Sequence, residues 1–322
     1  PEFITTDNIT TLKESFLDED YDSILIENSM LALINESDNT FIDQYKVIYE
    51  FSIDVETEDI ANEVDITKDA FNIFVSGIDT YGSVSSVSRS DVNMVITVNP
   101  NTHKVLITSI PRDYYVTLAS KNAKDKLTHA GIYGIEESVA TVENLLNIKI
   151  NYYVKVNFTS LMDIVDALGG VNVYSKYSFT SKDGYYYNQG YNNVDGKKAL
   201  SFVRERSAFS EGDRTRVENQ AAMIEALINK AISPTIITKY TSLLSALDGS
   251  FITNINTEDL TDFIKMQIDE MPEWTIENIS LNGSDAFDYT YSYGGTKLYV
   301  MLPDNETVIN ATTKINEILK EE

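Results

Sequence analysis

The sequence predicts an α/β fold: a central mixed β-sheet covered by helices on both faces, with a small acidic α/β segment in front of it. Three observations predict it. Apolar runs of strand length recur between segments of helical spacing. Strands that alternate with helices bury both faces of a sheet. The 322 residues are 43% hydrophobic and 23% charged, a soluble globular composition with enough chain for a sizeable core.

The elements follow in order. "YDSILIENSMLALINE" reads as a strand, Ser23 to Ile26, running into a helix, and "QYKVIYEFSIDV" as another strand. "AFNIFVSGI", "VNMVITV" and "KVLITSI" are three strands, the last two joined by the turn signal "NPNTHK". "EESVATVENLLNI" sets Val139, Val142, Leu145 and Leu146 on one helical face. "YYVKVNF" reads as a strand, "TSLMDIVDALGG" as a helix ended by glycine, and "VNVY" as a short strand. "DGYYYNQGYNNVDG" is a hairpin or loop whose tyrosines either pack locally or stack on sugar rings. "KKALSFVRER" gives a short helix, and a long helix opens near Asp213, an acceptable N-cap. On that helix Arg216 and Gln220 are i,i+4 neighbours sharing a face. After Pro234 come helices at 236–247 and 257–268, a strand near 274–281 and a last helix from about Glu306.

Charge and composition exclude several functions. A net charge of −25 leaves no basic stripe for displacing counterions from nucleic acid. The absence of cysteine excludes disulfides, thiol nucleophiles and thiolate zinc sites. Two histidines, His103 and His129, are too few for a histidine metal cluster and read as structural or solvated. No segment approaches the ~20 apolar residues of a membrane span. Residues 1–70 hold 19 acids against 3 lysines and so carry −16 of the charge, a shift that sets a boundary near residue 70. Pro1-Glu2-Phe3 reads as a cloning remnant.

The arginines carry the functional signal. There are six: Arg89, Arg112, Arg204, Arg206, Arg214 and Arg216, none before residue 89 or after 216, while lysines are spread throughout. One alone reads as a solvated surface charge; six confined to four short stretches point to a polyanion, because the planar guanidinium suits bidentate phosphate contacts. In "SGIDTYGSVSSVSRSDVN", Asp79 and Asp91 bracket a serine-rich loop. They could hold a hard divalent cation, since Mg²⁺ takes one or two carboxylates plus water and phosphate oxygens. The bland alternative is that Asp79 caps a turn and Asp91 pairs with Arg89. "SIPRD" puts Arg112 just past a strand, where open α/β sheets bind ligands. "RER" sets Arg204 and Arg206 on one side if the backbone there is extended. A cation with several arginines describes a pyrophosphate clamp.

The chain resembles the LytR-CpsA-Psr family, its capsule-associated members above all. The stretches that carry the resemblance are "GIDTYGSVSSVSRSDVN", "ITSIPRDYYV", "DKLTHAGIYG", "TVENLLNIKINYYVKVNF", "DALGGVNVY", "GKKALSFVRER" and "DRTRVENQ", in the family's order over about 71–232. The resemblance implies that residues 71–322 form the catalytic domain and 4–70 the end of an accessory domain. It implies a phosphotransferase outside the cell, held on the membrane's outer face by an N-terminal anchor upstream of this chain. Its substrates would be a glycopolymer (capsule or teichoic acid) on undecaprenyl diphosphate, and peptidoglycan as acceptor. By motif, Asp79 and Asp91 correspond to Mg²⁺ ligands, with Asp79 also the candidate base. Arg89, Arg112, Arg204, Arg206 and Arg216 correspond to the diphosphate clamp, Arg89 and Arg112 taking part in catalysis. Gln220 is a polar partner beside them and Lys126 stands at the site's edge; Arg214 is left at the surface. The prenyl tail needs an apolar groove, which Leu161/Val165 and Ile224/Leu227/Ile228 could line unless those faces are filled core. The competing functions are a prenyl-diphosphate pyrophosphatase and a non-enzymatic cell-envelope regulator, the latter disfavoured by the arginine clustering.

Overall fold

The computed structural model describes residues 9–18, 23–26, 31, 34, 40–49, 64–82, 84–85, 88–210, 212–233 and 249–321. Its frame is a six-stranded mixed sheet in the order β11-β6-β1-β2-β3-β12, as the alternation of strands and helices predicts. The members are β1 (Phe71–Ile78), β2 (Ser90–Asn99), β3 (Lys104–Ile110), β6 (Tyr152–Val156), β11 (Ile252–Thr253) and β12 (Thr275–Ser280). β1 to β3 form an antiparallel meander, whereas β6 joins β1 and β12 joins β3 in parallel. The C-terminal ends of β1, β3, β6 and β12 therefore point to one edge, and that edge carries the site.

Side-chain alternation divides the sheet between two cores. Phe74, Val95 and Leu106 face one side, against Val139, Val142 and Leu146 of α3 (Ile135–Leu146) and Ala311 and Ile315 of α8 (Asn305–Lys320). The short α2 (Leu127–Ala130) adds Leu127 and Ala130 to this side. Phe71, Val75, Met94, Ile96 and Ile107 face the other, against Ala221 and Ile224 of α6 (Gly212–Ala231) and Phe263 of α7 (Thr257–Glu270). A third core joins α4 (Phe158–Ala167), α5 (Gly196–Arg204) and α6 to the ribbons β7 (Val171–Ser175), β8 (Phe179–Thr180), β9 (Tyr186–Tyr187) and β10 (Gly190–Val194). The tyrosines of "DGYYYNQGYNN" divide: Tyr187 stacks on Phe179 inside, while Tyr186 and Tyr191 stay exposed.

Two expectations in the acidic segment are corrected. Residues 23–26 and 45–49 belong to no strand, and Leu25 and Ile48 are 81% and 80% exposed. A strand needs a partner's backbone to satisfy its amides, and none pairs with these runs among the described residues. That segment contributes instead α1 (Ile9–Leu17) and a single turn at Phe41–Asp43. Most of the helix expected after Ile26, residues 50–55 of the second run, and the helix at 236–247 lie outside the described residues. Asp213 falls within the first turn of α6 rather than ahead of it. The sequence reading also lacked the β4 (Tyr115–Thr117)–β5 (Lys124–Lys126) ribbon and the long hairpin of β13 (Gly283–Thr290) and β14 (Tyr293–Pro303).

Buried polar side chains fix the register. The Asn72 amide donates to Lys149 O at 2.7 Å and accepts from Thr97 Oγ1 at 2.7 Å. Asn99 Nδ2 donates to Ile318 O at 2.7 Å, tying the end of α8 to β2. Asn72→Ala should cost about 2 kcal/mol by leaving two buried groups without their partner. Urea titrations of the two proteins check it: the midpoint falls and the slope is unchanged.

Candidate active site

At the shared strand edge, seven charged side chains converge on a cavity of about 360 Å³, a size suited to a small ligand. Asp79 follows β1, Arg89 precedes β2, Asp91 lies in β2 and Arg112 follows β3. Arg204 ends α5, Arg206 follows it, and Arg216 and Gln220 project from α6 into the same space. The structure thus brings together ten of the residues singled out in the sequence, counting Leu161 and Ile224 on the wall. Lys126 stays outside the lining, its Nζ 2.9 Å from Asp113, whose other oxygen is 3.4 Å from Arg112 Nε. Arg214 is exposed and outside the lining, as expected.

Local structure aims each group. The Asp79 loop is fastened to the start of α4: Phe158 N donates to Thr80 O at 3.1 Å, and Gly82 N to Thr159 Oγ1 at 3.1 Å. Asn157 caps that helix by accepting from Ser160 N, and its Nδ2 donates to Gly82 O at 3.0 Å. Asp91 owes its placement to a β-bulge. Gly77 pairs with Val92 and Ile78 with Ser90, so Asp91 is the extra residue; such a bulge bends the strand and re-aims the side chain. Arg112 Nη1 then donates to Asp91 Oδ2 at 2.8 Å, and Thr128 Oγ1 to Asp91 Oδ1 at 3.2 Å. Close packing sets Arg89: a Cβ on Gly131 would stand 2.7 Å from Ser88 O and 2.8 Å from Ser90 N. Only glycine lets α2 approach the backbone on both sides of that arginine.

The two arginines of "RER" turn to the cavity because the acid between them turns inward. Glu205 takes an extended backbone (φ −66°, ψ 131°) and is buried. Its carboxylate accepts from Lys182 N at 2.6 Å, Ser207 Oγ at 2.7 Å and Ala208 N at 2.9 Å. Burial alone would raise its pKa, but these hydrogen bonds, that of Ser207 foremost, outweigh it and hold the pKa low. The Arg204 guanidinium lies 4.4 Å from the Phe158 ring centroid, a cation–π contact, with Nη1 3.3 Å from Tyr81 OH. Arg216 is 4% exposed, and Gln220 Nε2 approaches Val203 O at 3.5 Å.

Val75, Val156, Phe158, Leu161, Met223 and Ile224 form the cavity's apolar wall. Of the faces expected to line a groove, Leu161 and Ile224 do so, while Val165, Leu227 and Ile228 pack into filled cores. Asp79 keeps a solvent-exposed edge, yet its pKa is raised, first by burial and then by the negative charge of Asp91. Arg204, Arg89 and Arg112 oppose that rise without cancelling it. Two neighbouring carboxylates at one cavity suit a hard cation with oxygen ligands. Among the described residues no group of three or more His, Cys, Asp or Glu is placed to hold a metal, so the protein offers two carboxylates. The sequence reading missed Thr128, Tyr81, Phe158, Asn157 and Glu205. Only the acid inside "RER" left a local trace.

The comparisons with known proteins give the family and the fold. The LytR_cpsA_psr family model matches residues 35–314, beginning inside the segment expected to be accessory. The polyisoprenyl-teichoic acid–peptidoglycan teichoic acid transferase TagU of Bacillus anthracis is 37% identical over 223 residues, 69% of this chain and 73% of that protein. A crystal structure of Bacillus subtilis TagV superposes with a TM-score of 0.67 at 28% identity, covering 79% of this chain and 99% of that one. A structure of TagT bound to LIIa-WTA superposes with a TM-score of 0.63 at 27% identity, covering 81% and 94%.

A carboxyl whose pKa rises on folding binds its proton more tightly in the folded state. The Asp79 contribution to stability is therefore lost as pH rises from its ordinary value of 3.8 through the raised one. With chelator present, Asp79→Asn should melt above the wild type near pH 7, the gap closing below about pH 3.8. Thermal melts across pH check the crossover; a variant that is less stable at neutral pH contradicts it.

Proposed function

The chain belongs to the LytR-CpsA-Psr family, and from that premise we propose that it is a cell-wall glycopolymer phosphotransferase. It moves a teichoic-acid-like or capsular glycopolymer from a polyprenyl diphosphate carrier onto peptidoglycan. One observation carries the reading: in a chain of net charge −25, five of six arginines line one cavity that also has an apolar wall. A diphosphate with a hydrocarbon tail asks for that pairing of cations and apolar wall. The protein works on the outer face of the membrane, where an N-terminal anchor would hold it. Among the described residues no helix is long and apolar enough to cross a membrane. The accessory role of residues 4–70 and the catalytic role of 71–322 belong to the same proposal.

The residues divide the work as follows. Arg89, Arg112, Arg204, Arg206 and Arg216 bind the diphosphate, with Gln220 as a neutral partner. Phe158, Leu161, Met223 and Ile224 receive the start of the prenyl chain. An acceptor hydroxyl attacks the phosphorus that bears the glycopolymer, the bond from that phosphorus to the lipid-phosphate oxygen breaks, and a phosphodiester forms. The arginines stabilise the charge that grows on the departing polyprenyl phosphate. Asp91 is engaged by Arg112 and Thr128, which leaves Asp79 as the candidate to take the hydroxyl proton. Asp79 and Asp91 would also hold the divalent cation, for which we propose Mg²⁺; when bound it supplies charge neutralisation at the diphosphate. Lys126 acts through Asp113 on the placement of Arg112.

The test is product analysis with a polyprenyl-diphosphate-linked glycopolymer, Mg²⁺ and peptidoglycan. Polymer joined to glycan through a phosphodiester is expected. Polymer phosphate released to water at the same rate with and without acceptor would make the protein a pyrophosphatase.

The cavity also ranks its arginines. A charge-assisted hydrogen bond contributes about 1.5–3 kcal/mol, and about 1.4 kcal/mol is tenfold. Arg206→Ala should lower prenyl-diphosphate affinity roughly ten- to a hundredfold. Arg112→Ala should cost more, because it also releases Asp91, and Arg112→Lys should restore part of the loss. Arg214→Ala should bind as the wild type does. Lipid titrations with thermal melts measure all four, and a damaging Arg214→Ala in a folded protein contradicts the division.

A further inference from the structure

The hairpin β13–β14 carries an aromatic surface that the diphosphate site does not use. Residues 285, 287 and 289 are exposed, and Phe287 and Tyr289 are 66% and 55% accessible. The pairs Asp285–Met301 and Phe287–Tyr299 put Tyr299 on the same face, with its ring centroid 6.0 Å from that of Phe287. Polar groups edge the rings: Tyr299 OH donates to Asp285 Oδ1 at 2.8 Å, and Lys297 Nζ lies 5.4 Å from the Tyr289 centroid.

Topology brings this face to the site. β12 runs parallel to β3, so the hairpin that follows it emerges at the edge where Arg112 stands. A run of contacts joins the two. Arg112 meets Asp113, Asp113 pairs with Lys126 at 2.9 Å, and Lys126 Nζ lies 6.0 Å from the Tyr299 centroid. The hairpin is also held in place. Its turn residue Ser292 donates from N to the buried Asp125 Oδ2 at 2.8 Å, and its Oγ lies 2.9 Å from Tyr133 OH. Tyr115 OH donates to Tyr289 O at 2.7 Å. A surface fixed in this way loses little entropy when it binds.

We propose that this face is the acceptor subsite, on which a glycan strand lies with sugar rings over Phe287, Tyr289 and Tyr299. The inference rests on the phosphotransferase reading and adds where the acceptor is held. A pyranose offers an apolar C–H face and a rim of hydroxyls, which matches flat rings edged by a carboxylate and an ammonium. An anionic membrane surface fits less well, because the whole chain is strongly negative. Continuity with Arg112 through Lys126 would lead a strand on the hairpin towards the diphosphate.

The test measures binding of soluble, undecorated peptidoglycan glycan strands by calorimetry with no donor present. It compares the wild type with the double variant Phe287→Ala/Tyr289→Ala. Tyr174→Ala/Tyr191→Ala, on the exposed cross-strand pair of β7 and β10, is the control. The hairpin variant should bind glycan about tenfold more weakly, with prenyl-diphosphate affinity and the melt unchanged, and the control should match the wild type. In transfer assays the same variant should raise the acceptor KM and keep kcat. Equal glycan binding by the wild type and the hairpin variant, or an equal loss in the control, overturns the subsite. So does a hairpin variant that loses sedimentation with phosphatidylglycerol vesicles while its glycan binding persists, which would make the face a membrane contact. A wild type that binds glycan through the hairpin yet transfers nothing overturns the phosphotransferase reading and leaves the glycan surface standing.

Discussion

The carboxylate of Asp91 is the point on which the site is built. One oxygen accepts from Arg112 and the other from Thr128, so a single bulged residue joins β2 to the chain after β3 and to α2. Both of its oxygens are engaged by the protein, and its charge is felt at Asp79. The pair is unequal as a result. Asp91 is fixed in place, whereas Asp79 is left with an open edge and a pKa raised by burial and by the charge of Asp91.

That asymmetry needs cations, and this acidic chain gathers them in one place. Arginine, rather than lysine, occupies the cavity because its charge survives burial and its fork reaches two acceptors at once. Arg216 is nearly inaccessible, so it works in a medium where a bound anion is less screened than in water, while the exposed Arg204 rests on a phenylalanine ring. Glu205 shows the counterpart. An acid beside two arginines would cancel them, but the backbone turns it into the protein, where it accepts its own hydrogen bonds.

The apolar part of the cavity follows from how α4 and α6 meet the sheet. Gly77 lies beside Val92, where a Cβ would come within 2.8 Å of the valine, so β1 and β2 leave a smooth floor between the helices. The same helices fill the third core a turn away with Val165 and Leu227. One apolar face thus serves both as packing and as a binding wall, depending on what stands opposite.

Much of this was legible in the sequence. Side-chain chemistry is a local property, so the six arginines, the two acids and the resemblance they carry could be read without a fold, and strands β1 to β3 announced themselves by continuous apolar runs. The runs at 23–26 and 45–49 had the same apolar character but form no strand, because strand formation depends on a partner that composition does not reveal. The bulge at Asp91, the inward turn of Glu205 and the hairpin beside Lys126 each depend on residues distant in the chain. Periodicity put Leu161 with Val165 and Ile224 with Ile228, yet one of each pair lines the cavity and the other is core. The sequence by itself determined which groups could bind a diphosphate. Only the tertiary structure decided which apolar positions stay open to a ligand, because an unfilled volume is set by all the surfaces around it and belongs to no single segment.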